Sequence, residues 1–320
     1  MADSGKHVTL VHMTLTDITP THRNEAFEEG ALGMMADCTP MLNDMAAMRR
    51  HLSEKGYVYL PQFHDRERVL DARRVVIDRL ASGGVLDERF DPMQGILREG
   101  GRAPGFAGGV LKDLFPNGWE KLHDVLYTGR MMNFFRDLHN EQHEEEVVHY
   151  DFTWLRLVNP GPSTAMHADV VYMGRGTNNL HTVWTPWGDN GFDLGGLVLL
   201  EGSNRRADKL DRYWHTDVDA FCENKEDKSD NWNKGGGWIE GSLKQLRDTL
   251  GGRWVTADYR AGDIVVFHVN TVHGGTDNQS NKVRISSDTR FQKKADAIDE
   301  RWIGEKPIAH GPAGKRGMIC

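Results

Sequence analysis

The period of the apolar positions changes near residue 147 and divides the chain into a helical stretch and a strand-rich one. Within residues 66–80, Val69, Ala72, Val76 and Leu80 recur at helical spacing on one face. Asp65 stands in front of them as a capping residue and Gly83-Gly84 ends the run. The same texture predicts helices over 41–54, stopped by Gly56, and over 119–138. A short apolar run predicts a strand at 57–60. Residues 95–109 are rich in glycine and read as a loop able to fold over a pocket. Residues 1–40 have little periodicity and predict an extended arm or an extra strand over 8–15.

Past residue 147 the pattern becomes short apolar runs separated by Gly, Pro and Asn. Strands are predicted over 147–158, 165–173, 180–187, 197–200, 254–259, 264–269 and 283–291. A charged, Trp-containing insertion, 205–252, interrupts them and carries a predicted helix over 242–250. The sum is a mainly β fold with flanking helices and a sandwich or jelly-roll (cupin-like) core. The expected organisation is a single domain: arm 1–40, helical support 41–146, jelly-roll core 147–292 and tail 293–320.

Composition narrows the partners. At net charge −8 and pI 6.0, nucleic acid and anionic membrane surfaces are disfavoured as partners. A mean hydropathy of −0.57 and the lack of a long apolar run predict no membrane span. Cys38, Cys222 and Cys320 are widely spaced, with no CxxC pair, and are expected to be free thiols in a reducing compartment. With no charged segment leading into an apolar run at the N-terminus, the expected location is cytoplasmic.

Candidate chemistry begins with His-x-Asp and His-x-Glu pairs, and there are five: His139/Glu141, His143/Glu145, His149/Asp151, His167/Asp169 and His215/Asp217. Such a pair says little until its element is known. Residues i and i+2 of a strand share a face, so His167 and Asp169, after the Asn159-Pro160-Gly161-Pro162 turn, can converge on one metal ion. His149/Asp151 also falls on a predicted strand and is the rival pair. A second element, Gly262-Asp263 through Phe267-His268 to His273-Gly274, runs from a turn into an apolar strand with His273 just past its end. His268 reads as a core histidine and His273 as the third ligand. Two imidazoles and one carboxylate are the donor set of non-haem iron(II) oxygenases.

Arg284-Ile285-Ser286 follows on the last predicted strand. A buried guanidinium needs an anion, and Ser286, on the same face, offers a second donor to a carboxylate. Arg290 shares that face and is the alternative anchor. Alternate residues of neighbouring strands, Trp154, Arg156, Tyr172 and Met173, are candidate pocket residues.

On these residues the chain resembles the phytanoyl-CoA dioxygenase family of iron(II)- and 2-oxoglutarate-dependent oxygenases. The resemblance runs from Gly56-Tyr57-Val58-Tyr59-Leu60 to Phe291. It is firmest at His167-Ala168-Asp169, Trp184-Thr185-Pro186, Gly195 to Ser203, and Gly262-Asp263 through His273-Gly274 to Arg284. It implies a double-stranded β-helix, with His167, Asp169 and His273 as catalytic metal ligands. Arg284 is then the anchor for the distal carboxylate of 2-oxoglutarate, and Trp184 a wall of that pocket. Its implied cofactors are Fe(II), 2-oxoglutarate as co-substrate and O2. The implied reaction is hydroxylation of an unactivated C–H bond, releasing succinate and CO2. Desaturation, epoxidation or rearrangement use the same ligands, and a non-catalytic metal-binding jelly roll is the distant alternative. Many relatives carry Gly-Ser after the distal histidine, whereas Gly274-Gly275-Thr276 stands here. The expected substrate is a small carboxylated metabolite or natural-product intermediate.

Overall fold

A computed structural model describes residues 18–139 and 146–320. The predicted strand over 8–15 and the His143/Glu145 pair lie outside the described residues.

Two sheets face each other. The larger has seven strands. Six of them run in the order Tyr57–Leu60, Ile264–His268, His181–Pro186, Arg284–Lys293, Thr153–Val158 and Gly105–Gly109, and Val147–His149 pairs with the far end of Arg284–Lys293. The smaller runs His273–Gly275, Leu197–Leu200, Trp254–Thr256, Leu32–Met34. This is the expected jelly roll, and period-two alternation explains its two cores. One face of the large sheet presents Val58, Leu60, Val183, Leu155, Leu157, Val266 and Ile285. The helices Met45–Lys55, Arg66–Ser82, Trp119–Tyr127 and Arg130–His139 bury that face. The other face turns Tyr57, Tyr59, Trp184, Val265 and Phe267 toward Leu197, Leu199 and Val255 of the small sheet. The same inner face carries the site.

Several elements match their sequence signals closely. Tyr57–Leu60 and Leu197–Leu200 fall where predicted. Asp65 caps Arg66–Ser82 by accepting from Arg68 N at 2.9 Å. Ser242 caps Leu243–Leu250 through a capping box with Gln245.

Four expectations are corrected. The helix over 119–138 is two helices, broken where Gly129 takes φ 51°. The strand over 147–158 is interrupted at residues 150–152, where Asp151 N and Phe152 N donate to Trp302 O and admit the C-terminal segment. The Gly-rich loop ends in an edge strand, Gly105–Gly109, paired with Thr153–Val158. The strand over 165–173 does not form: His167 makes a single bridge to His273, and Val170–Met173 is a helical turn.

The cysteines are also corrected. Cys222 and Cys320, 98 residues apart, form a disulfide, and Cys38 alone is a free thiol, buried. The bridge joins the insertion to the C-terminal segment, whose strand Arg316–Met318 lies parallel to Ala220–Cys222. Nearby, buried Asp219 accepts from Arg301, His310 and Lys315, so the tail is tied by charge as well. Closing so long a loop is worth about 2–4 kcal/mol. Reduction with a thiol is therefore expected to lower the melting temperature of the wild type but not of Cys222→Ser, as read by paired thermal scans. Among the described residues no helix is long and apolar enough to cross a membrane.

Candidate metal centre

The site forms where the two sheets meet. His167 and His273 exchange both backbone hydrogen bonds, His167 N to His273 O at 2.9 Å and the reverse at 2.8 Å. Residues paired this way across antiparallel backbones project to one side. Their rings stand 4.3 Å apart between centroids. Asp169 reaches them from helical backbone, φ −63° and ψ −23°, as the residue entering Val170–Met173. Its convergence with His167 thus comes from a turn rather than from the strand alternation the sequence suggested. Asp169 Oδ1 lies 3.9 Å from His167 Nε2 and 3.7 Å from His273 Nε2. Among the described residues these three alone cluster as a potential metal-ligand group, their donor atoms all within 4.8 Å of one another.

The surroundings prepare each donor. His167 Nδ1 is 2.8 Å from Ala165 O, and His273 Nδ1 is 2.9 Å from Thr271 O. A carbonyl only accepts, so each Nδ1 carries the hydrogen and each Nε2 offers a lone pair to the cluster. Burial, reinforced by His273, pushes the His167 pKa down to about 3, and burial lowers that of His273. Both rings are neutral near pH 7, as metal ligation requires. Burial alone would raise the Asp169 carboxyl. The Arg290 guanidinium, the two imidazoles and the Thr182 hydroxyl outweigh it and hold the group well below the usual carboxylate range. Thr182 Oγ1 at 2.6 Å and Arg290 Nη2 at 2.8 Å both donate to Asp169 Oδ2, which leaves Oδ1 for an ion.

Arg290 is therefore the carboxylate's partner rather than a free anion anchor. Its guanidinium also lies 4.5 Å over the Trp154 ring, and its Nε is 3.1 Å from Met173 Sδ. Trp154 and Met173, expected in the pocket wall, instead brace this arginine. Thr182→Val keeps the shape and removes one donor to Asp169. Iron(II) affinity is expected to fall about tenfold or more, the lower end for an outer hydrogen-bond partner, as read by anaerobic metal titration.

Arg284 lies in the same cavity with His167, His273, Trp184, Leu197, Gly274, Gly275, Thr164, Arg156 and Asp288. It is buried, yet its Nε has no partner and its guanidinium donates to no protein acceptor among the described residues. Burial, with Arg156 nearby, pushes its pKa down to about 10, so it remains charged. Ser286 is also buried with an unpartnered Oγ. A charge and a hydroxyl on one strand face, both without acceptors, fit a carboxylate. Trp184 lines the same cavity.

The other histidine pairs do not converge on this cluster. His149 and Asp151 are 3.9 Å apart beside a separate surface cavity lined by His123 and Tyr127. His215 is exposed and held by Asp211 O, while Asp217 pairs with Arg175. His139 is buried beside His181 at the end of its helix. His268, whose pKa burial lowers to about 4, packs on His181 outside the cluster, in keeping with a core role.

Sequence reasoning missed Thr182 and Asp288. Thr182 lies two positions before Trp184, and Asp288 lies between Ser286 and Arg290 in the same alternation. The face on which they lie was therefore legible, but their partners across the sheet were not.

The phytanoyl-CoA dioxygenase family model matches residues 52–286. A curated relative, the 1-deoxypentalenic acid 11-beta-hydroxylase of Streptomyces arenae, is 24% identical over 276 residues, 80% of this chain and 84% of that protein. Among solved structures, EctD from S. alaskensis with bound Fe superposes with TM-score 0.56 at 15% identity, covering 94% of this chain and 95% of that one. The non-heme alpha ketoglutarate dependent epimerase SnoN from nogalamycin biosynthesis superposes with TM-score 0.51 at 16% identity, covering 80% and 85%. At these identities the two structures establish a common fold.

Proposed function

The chain belongs to the phytanoyl-CoA dioxygenase family, and from that premise we propose that it is an iron(II)- and 2-oxoglutarate-dependent oxygenase hydroxylating an unactivated C–H bond of a small molecule. The observation that carries this reading is the pairing of two unsatisfied needs in one cavity: a neutral-imidazole and carboxylate cluster with room for an ion, and beside it a buried guanidinium that donates to no acceptor among the described residues. The relative from Streptomyces arenae, a hydroxylase by name, fits the same outcome.

In this reading His167, Asp169 and His273 hold iron(II). Arg284, assisted by Ser286, holds the distal carboxylate of 2-oxoglutarate, and Trp184 forms a wall of that pocket. Bound iron and co-substrate, with O2, supply the oxidising chemistry and release succinate and CO2. The protein's share is positional and electrostatic. The carbonyls of Ala165 and Thr271 fix both imidazole tautomers, and Thr182 with Arg290 fixes the carboxylate. The apolar layer of Leu197, Leu199, Val265 and Phe267 keeps bulk water from that side of the cluster. Retention of a carboxylate at Asp169 leaves no vacated ligand position for a halide, which favours hydroxylation over halogenation.

Small molecules are its proposed partners, and the Cys222–Cys320 bridge favours an oxidising compartment over the cytoplasm. Screening small metabolites for substrate-dependent succinate release under isotopically labelled O2 tests the activity. One labelled oxygen in a new product hydroxyl supports hydroxylation, whereas succinate with an epoxide or with an unlabelled, rearranged or desaturated product removes it in favour of the sister reactions.

A further inference from the structure

We propose that the oxidisable substrate is an apolar monocarboxylic acid, its carboxylate held by Arg156 and its hydrocarbon flanked by Phe106 and Tyr172. The assignment rests on reading His167, Asp169 and His273 as metal ligands and Arg284 as the co-substrate anchor.

Charge gives the first argument. The site wall carries three guanidinium groups, Arg156, Arg284 and Arg290, against two carboxylates, Asp169 and Asp288. Iron(II) and dianionic 2-oxoglutarate cancel each other, so one positive charge is left over inside a chain whose net charge is −8. Arg290 is committed to Asp169 at 2.8 Å, and Arg284 to the co-substrate. The guanidinium left to face a substrate is Arg156. A pocket with one spare positive charge in low dielectric favours a single negative charge over a neutral or multiply charged ligand.

Geometry gives the second. Arg156 Nε donates to Asp288 Oδ2 at 2.5 Å, which fixes the plane of the guanidinium. Its Nη groups donate to no acceptor among the described residues, and the side chain keeps 27% exposure within the cavity that holds His167 and His273. A planar fork pinned at one edge and free at the other is preorganised for bidentate capture of a carboxylate.

Aromatic side chains neighbour Arg156 and His167. Phe106 is the cross-strand partner of Arg156, so the two share a face, and Phe106 is 50% exposed. The Tyr172 ring stands 5.6 Å from His167, and Trp232, also half exposed, stands 5.4 Å beyond it. Large aromatic surface left in water around a charged anchor suits a ligand with a hydrocarbon body and one acidic end.

The test is calorimetric and needs no turnover. Cyclohexane-, adamantane- and decalin-carboxylates, each beside its carboxamide, are titrated anaerobically into the protein loaded with iron(II) and 2-oxoglutarate. The acids are expected to bind about tenfold or more tightly than the amides, as for a hydrogen bond to a charged group. In Arg156→Gln that preference should vanish while affinity for 2-oxoglutarate is retained. Arg156→Gln/Asp288→Asn removes both charges together and should behave alike, so an orphaned Asp288 cannot explain the loss. Equal binding of acids and amides, no binding of any acid, or a preference that survives Arg156→Gln overturns the proposal. So does loss of 2-oxoglutarate binding in that variant, which would move Arg156 to the co-substrate. If the wild type takes up no iron or no 2-oxoglutarate, the functional reading fails at the loading step, before any acid is added.

Discussion

Asp169→Ala is expected to abolish iron(II) binding at micromolar metal and, with it, succinate formation. The carboxylate is the only anionic donor in the cluster and the point at which four other groups converge: both imidazoles face Oδ1, and Thr182 with Arg290 holds Oδ2. Its removal strands the Arg290 guanidinium, 1% exposed, beside Trp154 without its counter-ion. The substitution therefore costs stability as well as metal, on the order of 3–5 kcal/mol for a broken buried pair. Asp169→Asn separates the two effects. An amide oxygen can still accept from Arg290 or from Thr182, so the fold is largely kept. The metal loses its charged ligand, and affinity should drop by more than the roughly 10–100-fold typical of outer-shell partners. Anaerobic metal titration alongside thermal melting reads both quantities. A variant that binds iron as the wild type does would remove Asp169 from the site.

Arg284→Leu is expected to have the second-largest effect, with a diagnostic sign. Losing one partner of a buried charged contact weakens binding by about 2–5 kcal/mol, so the apparent Kd for 2-oxoglutarate should rise by a factor of roughly 30 to several thousand. Iron affinity in the absence of co-substrate should change little, because Arg284 makes no contact with the three ligands among the hydrogen bonds and ion pairs of the described residues. Without 2-oxoglutarate the wild-type guanidinium is buried and donates to no acceptor among the described residues, so an apolar side chain of similar bulk should leave the ligand-free protein as stable or more so. Added 2-oxoglutarate should then raise the melting temperature of the wild type and leave that of the variant in place. A variant that loses stability without ligand and keeps its affinity would make Arg284 a structural residue.

Much of this site was legible in the chain because its strands carry plain signals. Val265, Phe267, Trp184 and Arg284 sit on apolar or alternating runs bounded by glycine or proline, and period-two alternation by itself puts Arg284, Ser286 and Arg290 on one face. Where the reading failed, local propensity pointed away from the fold. Val170-Val171-Tyr172 is a β-branched and aromatic run, yet it turns as a helix because Val170 N, Tyr172 N and Met173 N find acceptors on Val269 and Asp169. That turn lets Asp169 leave the sheet and meet both imidazoles. Arg290 shows the opposite limit. Its face was evident, but alternation cannot say whether a guanidinium faces a substrate or a carboxylate 121 positions away in the chain. The Cys222–Cys320 bridge was invisible for a similar reason, since two cysteines 98 residues apart carry no pairing signal until the tail lies beside the insertion.

The most direct test of the central claim is an anaerobic titration of the purified protein with iron(II) and then 2-oxoglutarate, followed by visible absorption. The account predicts one iron per chain and a weak charge-transfer band that needs both additions. His167→Ala should abolish the band, His149→Ala should keep it, and Arg284→Leu should shift it to much higher 2-oxoglutarate. A protein that binds iron without developing the band, or one whose band survives His167→Ala and disappears in His149→Ala, would contradict the account.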